Sequence, residues 1–172
     1  VTMLLGGEQG EAYRESMKQE QEPKKPFILP EANRTMHRAF AYLVKTRCLD
    51  PKVVSVFARR HMIYEDAKYH NAVFVGFDVD GIPRHAHKRG TCQQWKPLKG
   101  NVESCDPRYS FHWIGKSDTV YVFEAPIDML SFISMYQKDW MEHSYVALCG
   151  VSYHALVQLL EDLPHLSKFT LC

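Results

Sequence analysis

The sequence predicts an α/β protein whose front part is α+β: a small basic subdomain of helices and a hairpin, then a parallel β-α-β-α-β sheet. Three observations carry this. From Thr119 onward, three short apolar runs alternate with two segments of helical periodicity, the pattern of a parallel sheet with right-handed crossovers. Between Asn33 and Ala58 apolar residues recur at helical spacing. Ala72–His87 reads as two strands joined by an Asp-Gly turn. On this reading the 172 residues divide into a polar tail or linker (1–26), a front subdomain (27–115) and the sheet (116–172).

Residues 1–26 are rich in Gln, Glu and Lys and end at Pro23 and Pro26, with a short helix possible in Gln9–Lys18. Order is expected from Phe27. Asn33 is a candidate N-cap for a helix bearing Met36, Ala39, Phe40, Leu43 and Val44. Asp50-Pro51 opens a second helix, with Asp as cap and Pro at the first position, burying Val53, Val54 and Phe57. Residues 90–110 hold Gly90, Pro97, Gly100 and Pro107 and few apolar runs, so a long loop is expected. Thr119–Phe123 is a buried strand, and Pro126 to about Gln137 a helix. Tyr145–Leu148 is the next strand, after which Gly150 breaks the run. Ser152 is placed to cap a helix bearing Leu156, Leu159, Leu160 and Leu163, and Lys168–Cys172 is the third strand.

Hydrophobic residues make up 45% and charged residues 24%, near the globular average. The net charge is +1, so a basic site has to be a local patch rather than a global field. Cys48, Cys92, Cys105, Cys149 and Cys172 are odd in number and widely spaced, which fits neither a disulfide scaffold nor a zinc ribbon. They read as reduced cysteines of a cytoplasmic protein. No stretch reaches the roughly 18 apolar residues of a membrane span, so no membrane partner is expected.

Sites in open parallel sheets lie beyond the carboxyl ends of the strands. Glu124 sits there, directly after Thr119–Phe123, and Asp128 follows one helical turn on. Such a pair can hold Mg²⁺ or provide a general base; equally, acids near a helix start favour its dipole. Asp78-Val79-Asp80-Gly81 lies between two strands and is explained by turn chemistry rather than metal binding. Arg84, His85, His87, Lys88 and Arg89 cluster on the returning strand, and Lys96, Lys99 and Arg108 follow. Strand alternation puts Arg84 and Lys88 on one face, and His85, His87 and Arg89 on the other. With Trp95, Tyr109 and Trp113 able to stack on bases, this is a candidate surface for single-stranded DNA or nucleotides. A charged, solvated strand edge explains the same residues. No phosphate loop of the P-loop type and no G-x-S-x-G elbow occurs.

Six short blocks, in order, resemble a family of bacterial mobile-element proteins in which a primase-like region precedes a Toprim domain. They are Phe27–Asn33, Ala41–Arg47, Ile63–Asp66, Asn71–Gly76, His85–Arg89 and Val122–Ser131. Tyr145–Gly150 resembles the following Toprim strand and glycine, and the arrangement is similar to the catalytic core of bacterial replicative primase. The resemblance implies that Glu124 is the Toprim glutamate, acting as acid/base or through metal, with Asp128 assisting. It also implies that Lys88 and Arg89 belong to a basic strand that contacts phosphate. Toprim places an Asp-x-Asp pair directly after the third strand, whereas the sequence ends there, at Leu171-Cys172. The expectation is therefore a shortened, inactive chain with weak or absent Mg²⁺ binding and an exposed sheet edge.

Three functions stay open at this level. One is a primase-like Toprim fragment whose complete form handles phosphodiester bonds with Mg²⁺, with Glu124 and Asp128 as catalytic and metal-binding residues and Arg84, Lys88, Arg89, Lys99 and Arg108 on nucleic acid. Another is a non-catalytic single-strand-binding module. The third is an interaction piece whose partners are replication proteins of a mobile element.

Overall fold

A computed structural model describes residues 25–92, 98–150 and 152–172. The expected helix in 9–18, nearly all of the 1–26 segment, and Trp95 and Lys96 lie outside the described residues. Two sheets organise the rest. The first is antiparallel in the order β1 (Ile63–Glu65), β2 (Ala72–Phe77), β3 (Pro83–Arg89), β4 (Lys99–Asn101). The second has the order β5 (His112–Trp113), β7 (Ser144–Ala147), β6 (Thr119–Phe123), β8 (Lys168–Leu171). Strands β7 and β8 flank β6 in parallel, and β5 pairs antiparallel with β7 at the rim. Helix α3 (Pro126–Met135) connects β6 to β7, and α4 (His154–Asp162) connects β7 to β8, so the expected β-α-β-α-β unit is present. Strand β8 lies at the edge of its sheet with all four residues exposed.

The front helix forms, but not as expected. Helix α1 covers only His37–Ala41 and continues as a π turn over Tyr42–Thr46. Asn33 is not its N-cap; its amide donates to Glu65 Oε1 at 2.9 Å. The cap comes from across the fold: Glu65, on β1 and 2% exposed, accepts the N–H groups of Arg38 and Ala39 at 2.8 and 2.9 Å. Local spacing cannot reveal a cap supplied by a distant strand. Helix α2 (Pro51–Arg59) starts as read, with Asp50 accepting from Lys52 N and Val53 N.

The Asp-Gly turn is also as read. Asp78 Oδ1 accepts the N–H groups of Asp80 and Ile82, and Gly81 takes φ +75°. The 90–110 segment is not wholly loop, because Lys99–Asn101 pairs with His87–Arg89 as β4. These polar residues carry no strand periodicity, and the free edge of β3 makes the strand. Ser152 stands two residues ahead of α4, where its hydroxyl accepts the His154 N–H.

One apolar core serves both sheets. Phe57 of α2 stands against Phe111, Trp113 and Trp140, with ring centroids 5.4, 5.3 and 5.7 Å away. The cluster continues through Phe74 to Phe123, Ile127 and Tyr145. Gly76 of β2 packs tightly against the 107–110 segment: a Cβ there would lie 1.8 Å from the Tyr109 carbonyl oxygen.

Candidate nucleic-acid and metal site

Strand β6 is apolar until Phe123 and ends there because the chain turns into α3 through Ala125 and Pro126, whose fixed φ suits the first helical position. Glu124 occupies the corner. Its carbonyl accepts the Cys149 N–H at 3.0 Å, which leaves its side chain free of the sheet and 72% exposed. Asp128 lies in the first turn of α3, also exposed.

The wall facing this corner belongs to the first sheet. Arg89 on β3 and Lys99 on β4 are cross-strand neighbours. Lys99 Nζ lies 3.4 Å from Glu124 Oε1, and Arg89 Nε donates to the Tyr42 hydroxyl at 3.3 Å. Between wall and corner is a cavity of about 130 Å³ lined by Arg47, His87, Arg89, Lys99 and Asp128, with Phe74, Pro126 and Ile127 as apolar floor. Three cations around one small cavity have the chemistry to take phosphate or carboxylate oxygens.

Beneath that wall, a chain of hydrogen bonds ties the sheets together. Asn101 Nδ2 donates to the Cys149 carbonyl at 3.1 Å, so its Oδ1 faces His87 Nδ1 at 2.7 Å and accepts from it. Burial holds His87 below the ordinary histidine range; the Asn101 bond opposes this, and Lys99 and Arg89 add to it. The ring is therefore neutral at pH 7. Cys149 adopts φ +56°, a left-handed conformation that turns its carbonyl toward Asn101, and burial pushes its thiol up to about 12.

Of the residues singled out in the sequence, the structure brings together Glu124, Asp128, Arg89 and Lys99. Lys88, one residue from Arg89 on the strand, faces away, in a separate depression with Lys68 and Tyr69. Arg84 pairs with Asp78 at 2.7 Å, and Arg108 pairs with Asp106 at 2.7 Å. Trp113 is 4% exposed, packed against Phe57 and Trp140 and covered by Arg60, so it offers no face to a base. Arg47 and Asn101 were not anticipated as parts of the site, whereas His87 belongs to the cluster read on the returning strand. Arg47 ends a helical stretch that only the tertiary fold turns toward α3, and Asn101 lay in what read as loop.

Among the described residues no three His, Cys, Asp or Glu side chains converge on a common point. Glu124 and Asp128 offer two carboxylates, a donor set that suits a hard cation such as Mg²⁺ completing its shell with water and substrate phosphate. A cation there competes with Lys99 for Glu124.

Two family models match the chain in tandem. Residues 41–117 match a family described as "Protein of unknown function (DUF3991)", and residues 121–172 match one described as "Toprim-like". The fold is thus of the α/β class, and its second sheet falls in the Toprim-like match. More particularly, the chain is similar to a DUF3991 region followed by a Toprim-like region. The primase likeness is one of fold. The crystal structure of the primase fragment of the bacteriophage T7 primase-helicase protein superposes with a TM-score of 0.55 at 14% identity, over 92% of this chain and 64% of that one. An uncharacterized protein of Bacillus anthracis is 25% identical over 126 residues, which is 66% of this chain and 35% of the relative. The chain therefore spans about a third of that relative's length. No described helix is long and apolar enough to cross a membrane.

Proposed function

We propose that this protein serves the nucleic-acid metabolism of a mobile element as a primase-like factor, and that the cavity lined by Arg47, Arg89, Lys99 and Asp128, beside Glu124, is where it meets nucleic acid. The observation that carries the reading is the opposition of a basic wall (Arg47, Arg89, Lys99) to two carboxylates at the carboxyl end of a parallel strand. The wall holds the phosphates of single-stranded DNA or of a nucleotide, and Asn101 and His87 fix its height above the Toprim-like sheet. Glu124 and Asp128 would hold Mg²⁺, which when bound would supply charge neutralisation for phosphodiester chemistry in the complete protein. Incoming phosphate draws Lys99 away from Glu124 and so frees the carboxylate for metal or for proton transfer. Lys88 extends the binding surface beyond the cavity, whereas Arg84 and Arg108 are held by Asp78 and Asp106, and replication proteins of the element are the natural protein partners in the cytoplasm.

The Lys99–Glu124 pair also favours a second reading, binding without catalysis, because the pair neutralises the glutamate. Fluorescence anisotropy of labelled single-stranded DNA across a salt series tests the proposal. Binding should weaken with salt, with a slope of about 0.7 per phosphate contact in log–log form. An Arg89→Ala/Lys99→Ala variant should lower that slope by about one to two, and Lys88→Ala should lower it less. An unchanged slope in the double variant overturns the placement. Retention of full binding by Glu124→Gln, with no Mg²⁺-dependent nucleotidyl transfer by wild type, selects the second reading.

A further inference from the structure

A second cleft, on the far side of the junction from Glu124, is unclaimed by the reading above. It is about 350 Å³ in volume, within the range of small-molecule sites. Its walls come from both halves. The end of β2 gives Phe77, and the rim of the second sheet gives His112 and Ile114. Helix α4 gives Leu159 and Asp162, while Arg108 and Tyr109 close one side.

The polar atoms of this cleft are mostly acceptors without partners. His112 Nδ1 donates to the Ser110 carbonyl at 2.7 Å, so in the neutral ring Nε2 carries the lone pair. That nitrogen has no hydrogen-bond partner among the described residues. Burial keeps the ring in its neutral form, against smaller opposing effects of the Ser110 bond and the Asp162 charge. Asp162 accepts one bond, from Gln158 at 2.9 Å on Oδ1, which leaves Oδ2 open. The arginines around it are committed to other carboxylates: Arg108 in its lining holds Asp106 through Nε and Nη2, keeping only Nη1 unspent, and Arg84 nearby holds Asp78.

Charge decides the ligand class. Asp78, Asp106 and Asp162 stand against Arg84 and Arg108, both of which are already paired. An anion would meet the Asp162 carboxylate, and the arginine in the lining, Arg108, is already paired with Asp106. A neutral molecule with apolar faces and neighbouring N–H donors fits, its faces against Phe77, Ile114 and Leu159 and its donors toward Asp162 and His112. Among the nucleobases the Watson–Crick edge of guanine offers N1–H and N2–H side by side. Adenine and cytosine each pair one donor with an acceptor, and uracil has one donor between two acceptors. A carboxylate takes two adjacent N–H groups in bidentate fashion.

We propose that this cleft binds a guanine base, held at its Watson–Crick edge by the Asp162 carboxylate and His112 Nε2 and packed between Phe77, Ile114 and Leu159. The source is a free guanosine nucleotide or an unpaired guanine in a strand, and the recognition is the same for both. The site does not depend on the basic cavity.

The test uses guanosine itself, which has no phosphate to bring it to Arg89 and Lys99. Isothermal titration calorimetry should show saturable binding of guanosine to the whole chain. Inosine, which lacks the N2 amine, should bind roughly tenfold more weakly, and adenosine and cytidine weaker again. Asp162→Asn, at an exposed helix end, should weaken guanosine roughly tenfold or more. Ile114→Trp, which fills the cleft from its exposed rim, should abolish binding while circular dichroism stays unchanged. Arg89→Ala/Lys99→Ala should bind guanosine as wild type does. Equal binding of adenosine and guanosine overturns the proposal. So does no guanosine binding at millimolar concentration, an unaffected Asp162→Asn variant, or loss in the Arg89→Ala/Lys99→Ala variant. Once the nucleoside binds, competition by GMP and by a short guanine-containing oligonucleotide separates the two sources.

Discussion

Glu65→Gln puts the remote helix cap to a quantitative test. The carboxylate is 2% exposed and accepts four hydrogen bonds: Arg38 N at 2.8 Å, Ala39 N at 2.9 Å, Asn33 Nδ2 at 2.9 Å and His70 Nδ1 at 2.6 Å. A glutamine of the same shape keeps its oxygen toward the two backbone donors and turns its NH₂ toward Asn33 and His70, which then lose their acceptor. Bonds to a charged group contribute about 1.5–3 kcal/mol each when the partner is buried, and a helix cap about 1 kcal/mol. Half-exposed His70 can rebond to water, so the net cost of Glu65→Gln is about 2 kcal/mol, and of Glu65→Ala, which also strips the cap, about 3 kcal/mol. Urea denaturation at pH 7 reads this directly, with unchanged m-value. The pH dependence adds a sign. Burial works against ionisation of Glu65, but the bonds from Ala39 N–H, His70, Asn33 and Arg38 N–H together hold its carboxyl below the ordinary range. The unfolded chain therefore takes up this proton first on acidification, and the contribution, full above about pH 4.5, is lost as pH falls below it. Glu65→Gln should flatten the profile in that window. A loss under about 0.5 kcal/mol at pH 7 would refute the reasoning, because it would mean the helix start does not depend on the carboxylate.

Other substitutions probe other parts of the argument. Gly76→Ala places a Cβ against the Tyr109 and Ser110 carbonyls, so it should cost about 3 kcal/mol, the upper end of overpacking, or prevent folding; thermal denaturation reads this. Asp50→Ala removes the cap of α2 and the acceptor of Gln137, and should cost about 1 kcal/mol in urea denaturation. His85 is fully buried with no partner for either ring nitrogen among the described residues. Burial, helped by His87 and opposed by Asp106, pushes it down to about 4. The unfolded chain binds that proton near pH 6.5 and the folded chain only near 4, so stability is full above 6.5 and falls by about 2 kcal/mol between pH 7 and 5. His85→Leu should remove that slope without destabilising at pH 7; a slope that persists would assign it to another group.

The β-α-β-α-β half was legible because its signals are local: apolar β-rich runs, a proline at a helix start, and glycine after a strand. Asp50 and the Asp78–Gly81 turn were legible for the same reason, since each side chain bonds to backbone two to four residues away. The failures are all long-range. Asn33 has the chemistry of a cap, but Glu65 took that role from 26 residues away. Lys99–Asn101 has no strand propensity and became one because β3 had an unpaired edge. In the site, strand alternation correctly separated Lys88 from Arg89. The pairing of Lys99 with Glu124 depends on how two sheets dock, and no spacing in one chain segment encodes that.

The shared aromatic core bears on how such a chain can evolve and be cut. Its two family regions meet between residues 117 and 121, yet Phe57 and Phe74 from the first lie in one cluster with Phe123, Ile127 and Tyr145 from the second. Separating them would leave each half with an apolar face open to water. The two regions are therefore poor candidates for independent shuffling between proteins, and a partner region has to arrive with a matching face. For the same reason the junction behaves as the interior of one cooperative unit, and calorimetry of the intact chain should give one transition.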